Sequence, residues 1–113
     1  MRFSRSILPA LFFSSLFTAT LALADGDPAR GQGLYVVCAT CHGQNGEGSQ
    51  EQNAPSLAGR EQWYLARQLH NFKAGVRGAH ADDVYGKMMA PMALILPDDQ
   101  AIEDVAAYVA SLK

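Results

Sequence analysis

Cys38-Ala39-Thr40-Cys41-His42 is the stretch of this sequence whose residue types and spacing can do chemistry. Its two thiols, the only cysteines in the chain, stand one helical turn apart, and an imidazole follows at once. Each thiol can add to one of the two vinyl groups on a haem edge, forming a thioether. The next residue then places its imidazole below the ring, where it can bind the iron, so C-x-x-C-H reads as a c-type haem attachment signature. The rival readings are weaker. A disulfide between Cys38 and Cys41 closes too short a loop to stabilise much and leaves His42 unexplained. A thioredoxin-like redox pair wants a βαβ setting, which the chain lacks. A structural zinc site wants four ligands, commonly a second Cys or His pair, and no such pair has the spacing.

An iron bound by His42 has a second axial position. Met88, Met89 and Met92 cluster late in the chain, and a thioether is a soft ligand for iron. His70 and His80 are the nitrogen competitors; His70 falls on the polar side of a helical pattern and His80 in a polar loop, which favours solvated roles for both. Methionines so grouped also serve as core filler. Spacing alone leaves the three methionines open.

These residues need elements to hold them. Helical periodicity runs from about Pro28 to Cys41, with Pro28 suited to an early helical position and Gly31, Leu34, Tyr35 and Cys38 three or four apart. A second helix is expected from about Arg60 to Ala74, stopping at Gly75, with Leu65, Leu69, Phe72 and Val76 on one face. A third begins after Pro97, with Asp98 or Asp99 accepting from free first-turn amides and Ile102, Val105, Val109 and Leu112 forming an apolar stripe. Between them, Gly43 to Pro55 and Gly75 to Pro97 read as long loops. Sustained strand alternation, internal repeats and low-complexity tracts are absent.

A chain of 113 residues holds one domain. Met1 to Ser6 carries Arg2 and Arg5, Ile7 to Ala24 is apolar, and Ala22-Leu23-Ala24 offers a small-x-small cut site. Residues 1–24 therefore read as a cleavable secretory signal peptide, leaving 25–113 to fold. So small a domain buries only roughly 60% of its unfolded surface and usually needs an internal prop. A covalently held haem supplies one. The formal charge of −2 offers no basic stripe for nucleic acid, and Gly-rich phosphate loops and zinc-hydrolase motifs are missing. Arg60, Arg67, Lys73, Arg77 and Lys87 concentrate positive charge ahead of an acidic run, Asp98, Asp99, Glu103 and Asp104. That asymmetry can orient a partner, or simply mark two solvated helix faces.

Further strings accompany the motif: Gly31-Gln32-Gly33, the Gly43 that follows His42, Asn53-Ala54-Pro55-Ser56-Leu57-Ala58-Gly59, Trp63-Tyr64-Leu65-Ala66-Arg67-Gln68-Leu69, Phe72-Lys73-Ala74-Gly75 and Ile102-Glu103-Asp104-Val105-Ala106-Ala107-Tyr108. With these, the stretch from about Asp27 to Leu112 resembles class I c-type cytochromes, most closely a single haem domain of the cytochrome c4 type. The c4 group joins two such domains, and this chain holds one. The resemblance implies an all-α fold, the small class I cytochrome c fold, with three main helices and long loops wrapped around one covalently bound haem c. It implies that Cys38 and Cys41 hold the haem, that His42 is the proximal iron ligand and that Met89 is the distal one, with Met92 a packing neighbour. Pro55 would offer its carbonyl to the other nitrogen of His42, and Leu57 would pack on the haem face. Gly31 and Tyr35 would mark the crossing of the first and last helices near Tyr108. Trp63 or Tyr64 could bond a haem propionate, with core packing the default for both. The implied function is a periplasmic one-electron carrier, not an enzyme, running between a quinol-oxidising complex and a terminal oxidase or reductase. It would dock transiently with redox partner proteins as a monomer or weak dimer, without nucleic acid or stable membrane insertion. A cytochrome subunit of a larger oxidoreductase, and a haem-based sensor or small peroxidase, are the alternatives.

Overall fold

The computed structural model of the chain describes residues 25–113. The signal peptide expected over residues 1–24 lies outside the described residues. Four helices follow in order: α1, Pro28–His42; α2, Gln62–Lys73; α3, Val84–Leu94; α4, Asp99–Ser111. Among the described residues there is no strand, only one antiparallel bridge between Ser49 and Ala54. The all-α expectation holds.

The starts of α1 and α4 have local causes. Asp27 caps α1, its carboxylate accepting from the Ala29 amide at 2.9 Å, and Pro28 takes the first helical position, where its missing N–H is not needed. Asp98 caps α4 by accepting from the Ala101 amide at 2.8 Å. The α2 helix ends at Lys73, and Gly75 turns the chain at φ +73°. Val76 therefore leaves the expected apolar stripe and is largely exposed.

The α1 and α4 helices cross at Gly31. A Cβ there would collide with the Asp104 carbonyl and meet the Tyr108 Cβ at 2.8 Å, so the absence of a side chain lets the backbones touch. One turn on, the Tyr35 ring lies 5.4 Å from that of Tyr108 at 57°. Ile102, Val105, Ala106 and Val109 of α4 fill the core with Tyr35 and Ala39 of α1 and Leu65 and Ala66 of α2. Ile102 has no exposed surface, and its burial alone contributes about 2 kcal/mol. Trp63 and Tyr64 do not join this core: both remain exposed, their rings edge to face at 6.0 Å.

Asp104 is the charged group buried at the crossing. Its carboxylate accepts from the Asp27 amide at 2.8 Å and from Gln100 Nε2 at 3.0 Å, and pairs with the Arg30 guanidinium at 2.8 Å. Burial by itself raises the carboxyl pKa, but the Asp27 amide, Gln100 and Arg30 together outweigh it and leave the group below its ordinary 3.8. A carboxyl so lowered stabilises the fold above its unfolded-state value and loses that contribution as pH falls through the folded-state value. Asp104→Asn should therefore cost about 2 kcal/mol at pH 7, because it leaves Arg30 with only the longer, exposed pairing to Asp27 at 3.7 Å and the Asp27 amide with a neutral acceptor. Urea denaturation should show the gap to wild type narrowing below about pH 4.

The α3 helix is the main departure from the expected architecture, since Gly75 to Pro97 reads as loop. Gly86 and Pro91 both lie inside it. Pro91 removes one ladder hydrogen bond and ordinarily breaks a helix, and Val84, Tyr85, Met88 and Leu94 are spread around the axis with all four exposed. What starts the helix is Asp83, whose carboxylate accepts from the Gly86 amide at 2.9 Å. The loop after α2 then seats on it. Gly78, at φ +74°, lies against the Gly86 carbonyl and would place a Cβ 3.0 Å from that of Ala90. Helices pack in the sequence α1 on α4, α4 on α2, α2 on α3. The two ends of that series, α1 and α3, do not pack extensively on each other.

Candidate functional site

The residues singled out by the sequence lie on those two unpaired ends. Cys38, Cys41 and His42 occupy the last turn of α1, and the methionines lie on α3. The cysteines are free thiols, Cys38 half-buried and Cys41 exposed. Burial pushes the Cys38 thiol up, and neighbouring Cys41 adds to the shift.

His42 is buried, with its ring held from one side. Nδ1 lies 2.8 Å from the Pro55 carbonyl; because a carbonyl can only accept, Nδ1 carries a proton, and in the neutral ring the lone pair is then on Nε2. Nε2 has no hydrogen bond, and among the described residues no buried side-chain nitrogen or oxygen lacks a partner, so Nε2 opens onto accessible space. This is the expected role of the Pro55 carbonyl, met in the geometry. Among the described residues no group of three His, Cys, Asp or Glu could enclose a metal ion.

Two turns brace the Pro55 carbonyl, and sequence reasoning missed them. The Gly48 amide donates to the His42 carbonyl at 2.7 Å, folding residues 43–48 back under α1. The Gly46 carbonyl then accepts from the Leu57 amide at 2.8 Å, the Ala58 amide at 3.0 Å and the Ser56 hydroxyl at 3.2 Å. At Gly48, φ +81°, a Cβ would lie 2.6 Å from the Ser56 nitrogen. The close run of Gly43, Gly46 and Gly48 was the available signal. Tyr35 completes the brace: its hydroxyl donates to the Gly43 carbonyl at 2.7 Å, and burial pushes its pKa up to about 12, so it stays a donor throughout the working pH range.

Exposure sorts the methionines in part. Met88 is 64% exposed, whereas Met89 and Met92, three residues apart on one face of α3, are both half-buried. His80 is exposed, and His70 lies on the surface 3.8 Å from Asp99, so neither histidine joins His42. Leu57 is partly buried against the core. The surface hollows flank Trp63, away from the Cys38–His42 motif.

The donor set fits a haem. Two free thiols lie one turn apart, an imidazole has its outer nitrogen engaged and its inner one available, and soft thioethers stand on a helix that α1 does not cover. Exposed Val84, Tyr85, Met88, Leu94 and Ile95 leave α3 with more apolar surface than the polypeptide covers.

Comparison with known proteins agrees. A family model described as cytochrome c matches residues 28–113. Cytochrome c4 of Stutzerimonas stutzeri is 40% identical over 94 residues, covering 82% of this chain and 44% of that one. The crystal structure of reduced recombinant cytochrome c4 from Pseudomonas stutzeri superposes with a TM-score of 0.59 at 39% identity, over 78% of this chain and 46% of that one. Cytochrome c-554(548) of Halomonas halodenitrificans is 36% identical over 76% of this chain and 96% of its own length. Thiosulfate dehydrogenase (TsdBA) from Marichromatium purpuratum superposes with a TM-score of 0.63 at 35% identity, over 76% of this chain and 19% of that one. The chain thus spans about half the length of the c4 relative and nearly all of the shorter one.

Proposed function

We propose, from the premise that the chain belongs to the cytochrome c family and has the class I cytochrome c fold, that it is an exported one-electron carrier with a single haem ligated by His42 and Met89. The observation that carries this reading is the His42 ring, its Nδ1 proton fixed on the Pro55 carbonyl at 2.8 Å and its Nε2 free. Covalent haem c, the family's cofactor, supplies a one-electron iron couple when bound.

The chain's own residues do the rest. Cys38 and Cys41 would hold the group by thioethers from the last turn of α1. The Pro55 carbonyl keeps the His42 ring in one orientation and raises its basicity. Met89 supplies a soft thioether, which favours the reduced state relative to a second histidine. His42 and Met89 would together hold the iron, leaving no place for a substrate to bind it, so that the protein would pass electrons without transforming a molecule. Residues 1–24 direct it to the periplasm, where it would run between a quinol–cytochrome c reductase and a terminal oxidase or reductase. Contacts with those partners would be small and short-lived. Among the described residues no helix is long and apolar enough to cross a membrane.

A second reading, a cytochrome subunit held in a larger oxidoreductase, is favoured by the likeness to the thiosulfate dehydrogenase structure. Spectroelectrochemical titration of the exported protein tests the carrier reading. One fully reversible single-electron wave is expected, with the haem retained after acid–acetone extraction. A colourless product, or ferrous protein that binds carbon monoxide rapidly, defeats it. Co-purification with a flavin, molybdenum or copper protein through gel filtration turns the assignment to the subunit.

A further inference from the structure

We propose that Lys73, the last residue of α2, is a positioning residue for the methionine-bearing helix, locking the hinge after α3 so that Met89 stays on the iron. The inference rests on the reading of Met89 as distal ligand and deepens it. The α3 helix ends at Leu94, and its exit runs Ile95, Leu96, Pro97 before Asp98 caps α4. The amides of Ile95 and Leu96 bond back to the Met92 and Ala93 carbonyls, both at 3.3 Å. The Leu96 carbonyl lies beyond the helix, next to a proline, with its own side chain buried in the core. That acceptor is taken by Lys73, whose Nζ donates to it at 2.6 Å across 23 residues of sequence.

Among the described residues no other fastening of this kind holds the segment. Among the described residues, the other hydrogen bonds made by residues 79–97 stay within that stretch. The α3 helix packs extensively on α2 alone. The end of α2 and the loop that follows it therefore grip α3 twice: Gly78 of the loop seats against Gly86 and Ala90, and Lys73 pins the exit at Leu96. Met89 lies between the two grips. A charge-assisted bond at such a hinge acts on the equilibrium between attached and detached helix, while the core residues on α1, α2 and α4 are unchanged.

Lys73→Met keeps the length of the side chain and removes the donor; Lys73→Arg keeps a cationic donor. Imidazole titration of the ferric protein reads methionine detachment directly, because imidazole must displace the native ligand. Lys73→Met should bind imidazole about tenfold more tightly than wild type, the worth of one charge-assisted hydrogen bond, and Lys73→Arg should restore most of the difference. In a Met89→Ala background the same substitution should change nothing, which a merely structural role would not produce. The far-ultraviolet circular dichroism melt should shift less than the loss of the near-infrared sulfur–iron band. If wild type shows that band and Lys73→Met binds imidazole as wild type does, or changes it equally in the Met89→Ala background, the role assigned to Lys73 is wrong. If wild type lacks the band, the ligand reading falls and takes this inference with it.

Discussion

Replacing Met89 by alanine abolishes the weak near-infrared sulfur–iron band, lets the ferrous protein bind carbon monoxide rapidly, and lowers the midpoint potential on the order of 0.1 V. Axial ligands set haem potentials over a range of ~0.8 V. On the proposed ligation, losing the thioether would remove the ligand that favours the ferrous state; Met89 is half-buried on α3. Met92→Ala is the matched comparison, because Met92 shares that half-buried face three residues on. It should retain the band and shift the potential far less. If Met92→Ala loses the band and Met89→Ala keeps it, the ligand assignment moves by one turn of helix while the carrier reading survives.

The largest effect on stability is expected from Gly31→Ala. The added methyl group would meet the backbone carbonyl of Asp104, and no rotamer of a neighbour relieves a clash with main chain. The α1 and α4 helices must then separate across the core. Overpacking of this kind costs roughly 3 kcal/mol, and in a domain of this size the melting temperature should fall by about 15 °C. Gly33→Ala is the control two residues away. A Cβ there meets nothing within 4 Å, so the higher helix propensity of alanine should stabilise the protein by about 0.5 to 1 kcal/mol. Thermal denaturation of both holoproteins checks the pair. Equal melting temperatures would mean that the helices do not cross at Gly31.

What could be read from residues alone divides along physical lines. The α1, α2 and α4 helices announce themselves through local signals: a proline and an aspartate at one start, a terminating glycine, and an aspartate before an apolar stripe. The crossing near Tyr108 at Gly31 and Tyr35 is implied by the resemblance to class I cytochromes and not by a local signal, and the observed ring contact at 5.4 Å agrees. The same resemblance implies the partner of His42, and the Pro55 carbonyl stands at 2.8 Å. The α3 helix escaped because its signals point the other way. Pro91 and Gly86 are helix breakers, and its exposed Val84, Tyr85, Met88 and Leu94 mark no single buried face for periodicity to find. Core packing is the default for Trp63, beside a bond to a haem propionate, yet Trp63 is 64% exposed, since tertiary placement decides which face of α2 turns inward. Lys73 was read only as surface charge. Its bond to Leu96 joins residues far apart in sequence, and such a partnership has no local signature.

The buried carboxylate that fastens Asp27 to Asp104 spans 77 positions of chain, and that distance governs timing. A globule whose first and last elements must clasp before its interior exists has to close a very long loop early, an entropic cost that slows folding. Until the final helix has been made, the helix bearing the two thiols lacks the partner it crosses at Gly31. An assembly enzyme joining pigment to polypeptide would thus meet an open, unhurried target, and the clasp would shut behind it.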